Sequence, residues 1–89
     1  MATMFVRHQV ESYDAWRQVY DAFKPTQKQL GVTAESVFQN AADPNDITVR
    51  HDFASIDAAH AFAGSKELGE AMHGAGVVGA PTVWFTTQR

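Results

Sequence analysis

The chain contains no cysteine. A disulfide framework and a thiolate metal site are therefore excluded, and only histidine and carboxylate remain as strong metal ligands. Basic residues are also sparse. Seven Lys and Arg stand against ten Asp and Glu, for a formal net charge of −3, and no basic run occurs. That balance speaks against a nucleic-acid groove or an anionic membrane surface as partner. No apolar run approaches the ~20 residues a spanning helix needs, and no secretory leader precedes the first strand pattern, so a cytoplasmic protein is expected. Gly-x-Ser-x-Gly, a phosphate loop and a dinucleotide fingerprint are all missing, which excludes the commonest hydrolase and nucleotide-binding designs. No His-x-Glu or paired-carboxylate spacing offers a metal site, and neither a metal nor an organic cofactor is expected.

What is present suffices for a single domain over residues 1–89. The hydrophobic fraction is 45% and the aromatic fraction 11%, which is too much for a disordered chain. A chain this short still buries only about 60–65% of its unfolded surface, so association would help it.

Thr3–Val10 and Asp46–Phe53 alternate apolar and polar residues, the period of a half-buried strand. Ser12 is a helix N-cap with Asp14 in the first turn, and Trp16, Val19, Tyr20 and Phe23 follow at helical spacing. Pro25 lacks the N–H that would bond the Asp21 carbonyl, so a break in this helix is expected there, with a restart to Leu30 and a cap at Gly31. Val32–Asn40 reads as a second strand and Asp43–Asp46 as the turn of a hairpin. Ser55 caps another helix, carrying Ile56, Ala59, Phe62 and Ala63. Gly64-Ser65 permits a break before Lys66–His73, Gly74–Gly79 reads as a flexible connection, and Pro81–Thr87 is the last strand. The order is βαββαβ, a ferredoxin-like α+β fold with a four-stranded antiparallel sheet and helices on one face. The first and third strands are central neighbours in this topology. Phe5, Arg7, Thr48, Arg50, Asp52 and Trp84 are expected on the opposite face, where a second copy of the sheet would cover them in a homodimer.

The most informative feature is a histidine on the apolar face of each central strand. His8 follows Met4 and Val6, and His51 follows Ile47 and Val49. The two are expected side by side or diagonal, facing Trp16, Tyr20 and Phe23, with Phe85 joining the layer. Two readings are open. In one, each imidazole is a hydrogen-bonded core residue; in the other, His8 and His51 are the polar groups of an aromatic-lined pocket. A histidine of near-neutral pKa is suited to taking a proton from an activated C–H or phenol. His60 borders the same layer as a half-exposed helix residue. His73, where a helix gives way to glycines, either gates the pocket mouth or serves as a cation at a helix C-terminus.

Met4-Phe5-Val6-Arg7-His8-Gln9-Val10, Tyr13-Asp14-Ala15-Trp16, Asp43-Pro44-Asn45-Asp46-Ile47, Asp52-Phe53-Ala54-Ser55 and Ser65–Met72 together resemble the dimeric α/β-barrel superfamily. That superfamily includes antibiotic-biosynthesis monooxygenases and polyketide cyclases. The resemblance implies two ferredoxin-like sheets packed face to face, one pocket per subunit, and no cofactor. His8 resembles the first-strand catalytic histidine of the cyclase branch, whereas the third-strand histidine of that branch corresponds to Ile47 and not to His51. Trp16, Tyr20 and Trp84 are of the residue types that the monooxygenase branch uses.

The expectation is a homodimeric, cofactor-independent enzyme acting on a small hydrophobic aromatic or polyketide-like substrate, as a quinol- or anthrone-type monooxygenase or a cyclase. His8 would be the general base, with His51 orienting it or bonding a substrate oxygen. Val6, Trp16, Tyr20, Phe23, Val49, His73 and Phe85 would bind the substrate. The rival expectation is a non-catalytic dimer that binds a hydrophobic metabolite.

Overall fold

Alternate burial along β1 (Ala2–Val10) sets the architecture: Ala2, Met4, Val6, His8 and Val10 are buried, and the residues between them are half-buried or exposed. The computed structural model describes residues 1–89. After β1 come α1 (Tyr13–Gln29), β2 (Val32–Asn40), β3 (Asp43–Phe53), α2 (Ile56–Ala63), α3 (Lys66–Gly74) and β4 (Val77–Thr87). The strands form one antiparallel sheet in the order β2-β3-β1-β4, and the helices pack on one of its faces. This is the ferredoxin-like arrangement.

The helix starts follow from capping chemistry. Ser12, Ser55 and Ser65 each sit in extended backbone and accept a hydrogen bond from the N–H three residues on, with Asp14, Asp57 or Glu67 in the first turn. The core divides between the helices. Beneath α1, Trp16 and Tyr20 pack on Val10, Ile47 and Val49. Beneath α2, Ala59 and Phe62 pack on Met4, Val6 and Phe53. Each large side chain so buried contributes about 1.5–3 kcal/mol.

Register places specific residues in rows across the sheet. On the helix-covered face one row is Val37, Val49, Val6 and Val83, and the next is Glu35, His51, Met4 and Phe85. On the open face, Ser36, Arg50, Phe5 and Trp84 form a row, with the Phe5 and Trp84 rings stacked at 5.2 Å.

Three local expectations are corrected. The helix does not break at Pro25: α1 runs unbroken from Tyr13 to Gln29 with this proline inside it. Pro25 and Asp21 are both exposed, so the missing bond lies on the solvent side, where water can take the Asp21 carbonyl. The hairpin turns at Ala41-Ala42, and Asp43–Asp46 belongs to β3. The turn chemistry of that segment is spent locally: Asp43 Oδ1 accepts from Asn45 N at 3.0 Å, and the register slips beside Asn40. Finally, β4 begins at Val77 and not at Pro81. Gly76 and Gly79 adopt φ of 78° and 74°, which only glycine takes readily. The strand can therefore pair with Val10 and Gln9, bulge opposite His8, and resume pairing at Thr82.

Because Pro25 is exposed, replacing it removes no packing. Pro25→Ala restores one backbone donor and is expected to raise stability by about 2 kcal/mol, the helix-interior penalty less the unfolded-state entropy of proline. A higher urea midpoint at unchanged slope is the expected result, and a lower one contradicts the continuous helix.

Candidate active site

The phase of α1 brings Trp16, Tyr20, Phe23 and Gln27 onto one stripe above the centre of the sheet. From below rise Val6, His8, Val49 and His51, and the side is closed by Leu68, Ala71 and Met72 of α3 and by Ala75 at its C-cap. The cleft between these surfaces has about 410 Å³ of void including its mouth, of which about 40 Å³ admits water-sized molecules. At roughly 10–15 Å³ per water that is space for about three waters. A ring-sized ligand therefore requires Leu68 and Met72 to move. Nothing on α3 is fully buried, so this is the wall that yields most readily.

The two histidines share the cavity but are not neighbours. His8 lies opposite Ile47 and His51 opposite Met4, with the Val6–Val49 pair between them. The side-by-side or diagonal placement expected from the topology is corrected by the antiparallel register, which offsets them by two rows. Trp16 and Tyr20 bridge the gap. Their rings stack at 4.8 Å, with His8 edge-on to Trp16 at 5.8 Å and His51 tilted to Tyr20 at 6.4 Å.

Neither ring nitrogen of His8 has a hydrogen-bond partner, and both are buried. Residues 79–81 of β4 bulge away opposite it. Desolvation pulls the His8 pKa below its ordinary value, partly offset by the Asp46 carboxylate. Asp46 itself is held near pKa 2, mainly by hydrogen bonds from Arg7 and Asn40. His51 is buried more tightly, and desolvation takes its pKa to about 4. Its Nε2 lies 3.4 Å from Gln27 Nε2, and its Nδ1 is buried without a partner. Tyr20 donates its hydroxyl proton to Glu35 Oε1. Desolvation and this bond raise the Tyr20 pKa. At neutral pH the cavity therefore holds two uncharged imidazoles and a protonated tyrosine among apolar side chains. Such a set can accept a proton and bond an oxygen in surroundings of low polarity.

Of the residues expected to bind substrate, Val6, Trp16, Tyr20, Phe23 and Val49 line the cavity; Phe85 and His73 do not. Phe85 pairs with Met4 and lies beneath α2, its ring edge-on to His60 at 4.5 Å. His73 is exposed because it falls out of phase with Leu68, Ala71, Met72 and Ala75, the inward stripe of α3. Gln27 and that α3 stripe were absent from the expected lining. Their signal was spacing: Gln27 continues the Trp16, Tyr20, Phe23 phase, and the α3 residues recur at i, i+3, i+4 and i+7.

No protein-family model matches the chain, and no curated protein matches it in sequence. Solved structures do match. A candidate antibiotic biosynthesis monooxygenase from Bordetella bronchiseptica superposes with a TM-score of 0.84 at 14% identity, over 99% of this chain and 96% of that one. SnoaB, a cofactor-independent oxygenase from Streptomyces nogalater, gives 0.81 at 12% identity, over 99% and 92%. A similarly named Nitrosomonas europaea protein gives 0.78 at 12%, over 99% and 98%. At these identities the likeness shows the fold.

Two buried neutral histidines tie stability to pH. Their folded pKa values lie below the 6.5 of a free imidazole, so between those values the unfolded chain binds more protons and stability rises with pH. Stability is expected to be full above about pH 6.5 and to fall toward pH 4, with His51 contributing on the order of 3 kcal/mol. Asp46 acts only below its free value of 3.8, so urea midpoints between pH 7.5 and 4.5 isolate the histidines. A flat profile there would mean that the imidazoles are not buried neutral.

Proposed function

We propose that this protein is a cofactor-independent enzyme that oxygenates a small, hydrophobic, electron-rich aromatic or polyketide-like substrate, with His8 as general base. The observation that carries the reading is the state of His8: buried on a cavity wall, uncharged, with both nitrogens unpartnered. A core histidine of purely structural use would be hydrogen-bonded, because leaving a buried polar group unpaired costs about 1–3 kcal/mol. A ligand that brings its own acidic proton removes that penalty.

In this mechanism Trp16, Tyr20 and Phe23 hold the ring, and His8 takes a proton from a C–H or O–H group conjugated to it. His51 donates a hydrogen bond to the substrate oxygen that gathers the charge. The resulting carbanion reduces dioxygen directly. For a methylene between two conjugated systems the balance is CH2 + O2 → C=O + H2O, with carbon oxidised and dioxygen reduced. Oxygenation is favoured over cyclisation by the SnoaB likeness, since that protein is a cofactor-independent oxygenase.

The active form is a homodimer joined through the open sheet face. That face exposes the stacked Phe5 and Trp84 pair, Trp84 being 39% exposed, and leaves Arg50 Nε buried without a partner. A stable interface there would bury at least about 1,200–2,000 Å² in total. Light scattering is expected to give a dimer at micromolar concentration and Trp84→Arg to give monomer. A wild-type monomer contradicts the assembly.

His8→Ala is expected to lower oxygen uptake on anthrone- and quinol-type compounds by roughly 10²–10⁴-fold, the contribution of a positioned base. Thermal stability should change little, because the lost packing is offset by removal of two unpaired buried nitrogens. Undiminished turnover, or a large drop in melting temperature, refutes the assignment.

A further inference from the structure

Gln27 is 2% exposed on the apolar stripe of α1, where an amide must place two N–H donors and a carbonyl. Its Nε2 lies 3.4 Å from His51 Nε2. Gln27 also acts on Tyr20 in the direction that lowers the tyrosine pKa, against the larger raising effects of desolvation and Glu35. Tyr20 in turn sends its own proton to Glu35 Oε1. Glu35 accepts from Tyr20, and the Gln27 amide nitrogen, which can only donate, faces His51 Nε2, which therefore accepts. A neutral imidazole that accepts at Nε2 carries its proton on Nδ1. In His51 that Nδ1 is buried and has no partner within the protein.

We propose that Gln27 is a positioning residue that locks His51 in its Nδ1–H tautomer, so that His51 acts as a hydrogen-bond donor to a ligand oxygen and proton abstraction is left to His8. This rests on the proposed oxygenase reading of the cavity and refines it. The two histidines are not interchangeable bases. The end of the ligand nearest His51 must carry an acceptor, a ketone or phenolate oxygen, and an ammonium group there is rejected because two donors would face each other.

The test is imidazole nitrogen NMR on the full-length protein labelled with 15N-histidine, at pH 7.5. In the wild type, His51 should show a protonated Nδ1 and an unprotonated Nε2. Gln27→Met keeps the length of the side chain but has no donor, and should release the lock so that Nε2–H becomes populated. Gln27→Glu offers an acceptor and should swap the two nitrogen resonances. An Nε2–H tautomer in the wild type overturns the proposal, as does an unchanged tautomer in the variants. If Gln27→Met does not fold, the wild-type spectrum and Gln27→Glu decide the matter. The readout needs no substrate, so it stands even if no compound is turned over; conversely, a failed tautomer assignment leaves the His8→Ala activity test intact.

Discussion

The pairing register of β1 with β3 is the constraint on which the site depends. Val6 faces Val49, so His8 is carried one row to one side of that pair and His51 one row to the other. A slip of β1 by one residue would turn His8 to the open face and bring Arg7 into the core, and a slip of β3 would do the same with His51 and Arg50. The alternation Met4, Val6, His8, Val10 against Ile47, Val49, His51, Phe53 disfavours this, since such a slip would bury charge and expose large apolar groups. The separation of the histidines is thus a by-product of hydrophobic pairing. It gives them different surroundings, Trp16 and the β4 bulge for His8, Tyr20, Gln27 and Phe62 for His51.

Holding two imidazoles in apolar surroundings opposes folding, and the protein tolerates it because both are uncharged at neutral pH. The Trp16–Tyr20 stack and the valine row pack against the rings and supply the dispersion that their missing hydrogen bonds do not. Strain of this kind concentrates at sites that await a ligand. The cavity is narrow because α3 rests its half-buried Leu68 and Met72 against it.

Structures with 12–14% identity superpose over nearly the whole chain. So few shared residues cannot preserve a detailed core. What survives is the arrangement of strands and helices, which many sequences satisfy. The same tolerance explains why the superposition speaks for the fold and the side chains of the cleft must speak for the chemistry.

Alternation and capping are local, and they were legible without coordinates: β1, the Ser12 and Ser55 caps and the order of strands and helices follow from residue spacing alone. The histidines on the apolar face were legible for the same reason. Pro25 and Asp43–Asp46 were misread because local propensity competes with context: the proline falls on the solvent side of α1, and the Asp-Pro-Asn-Asp segment satisfies its turn chemistry inside a bulged strand. Which residues meet across the cleft was decided only by tertiary structure. The two-row offset of His8 and His51 depends on pairing between strands some forty residues apart. The contact of Gln27 with His51, the exclusion of Phe85 beneath α2 and the outward turn of His73 depend on where each helix lands on the sheet. Period specifies which face a residue takes; only the packing of distant elements specifies its neighbours.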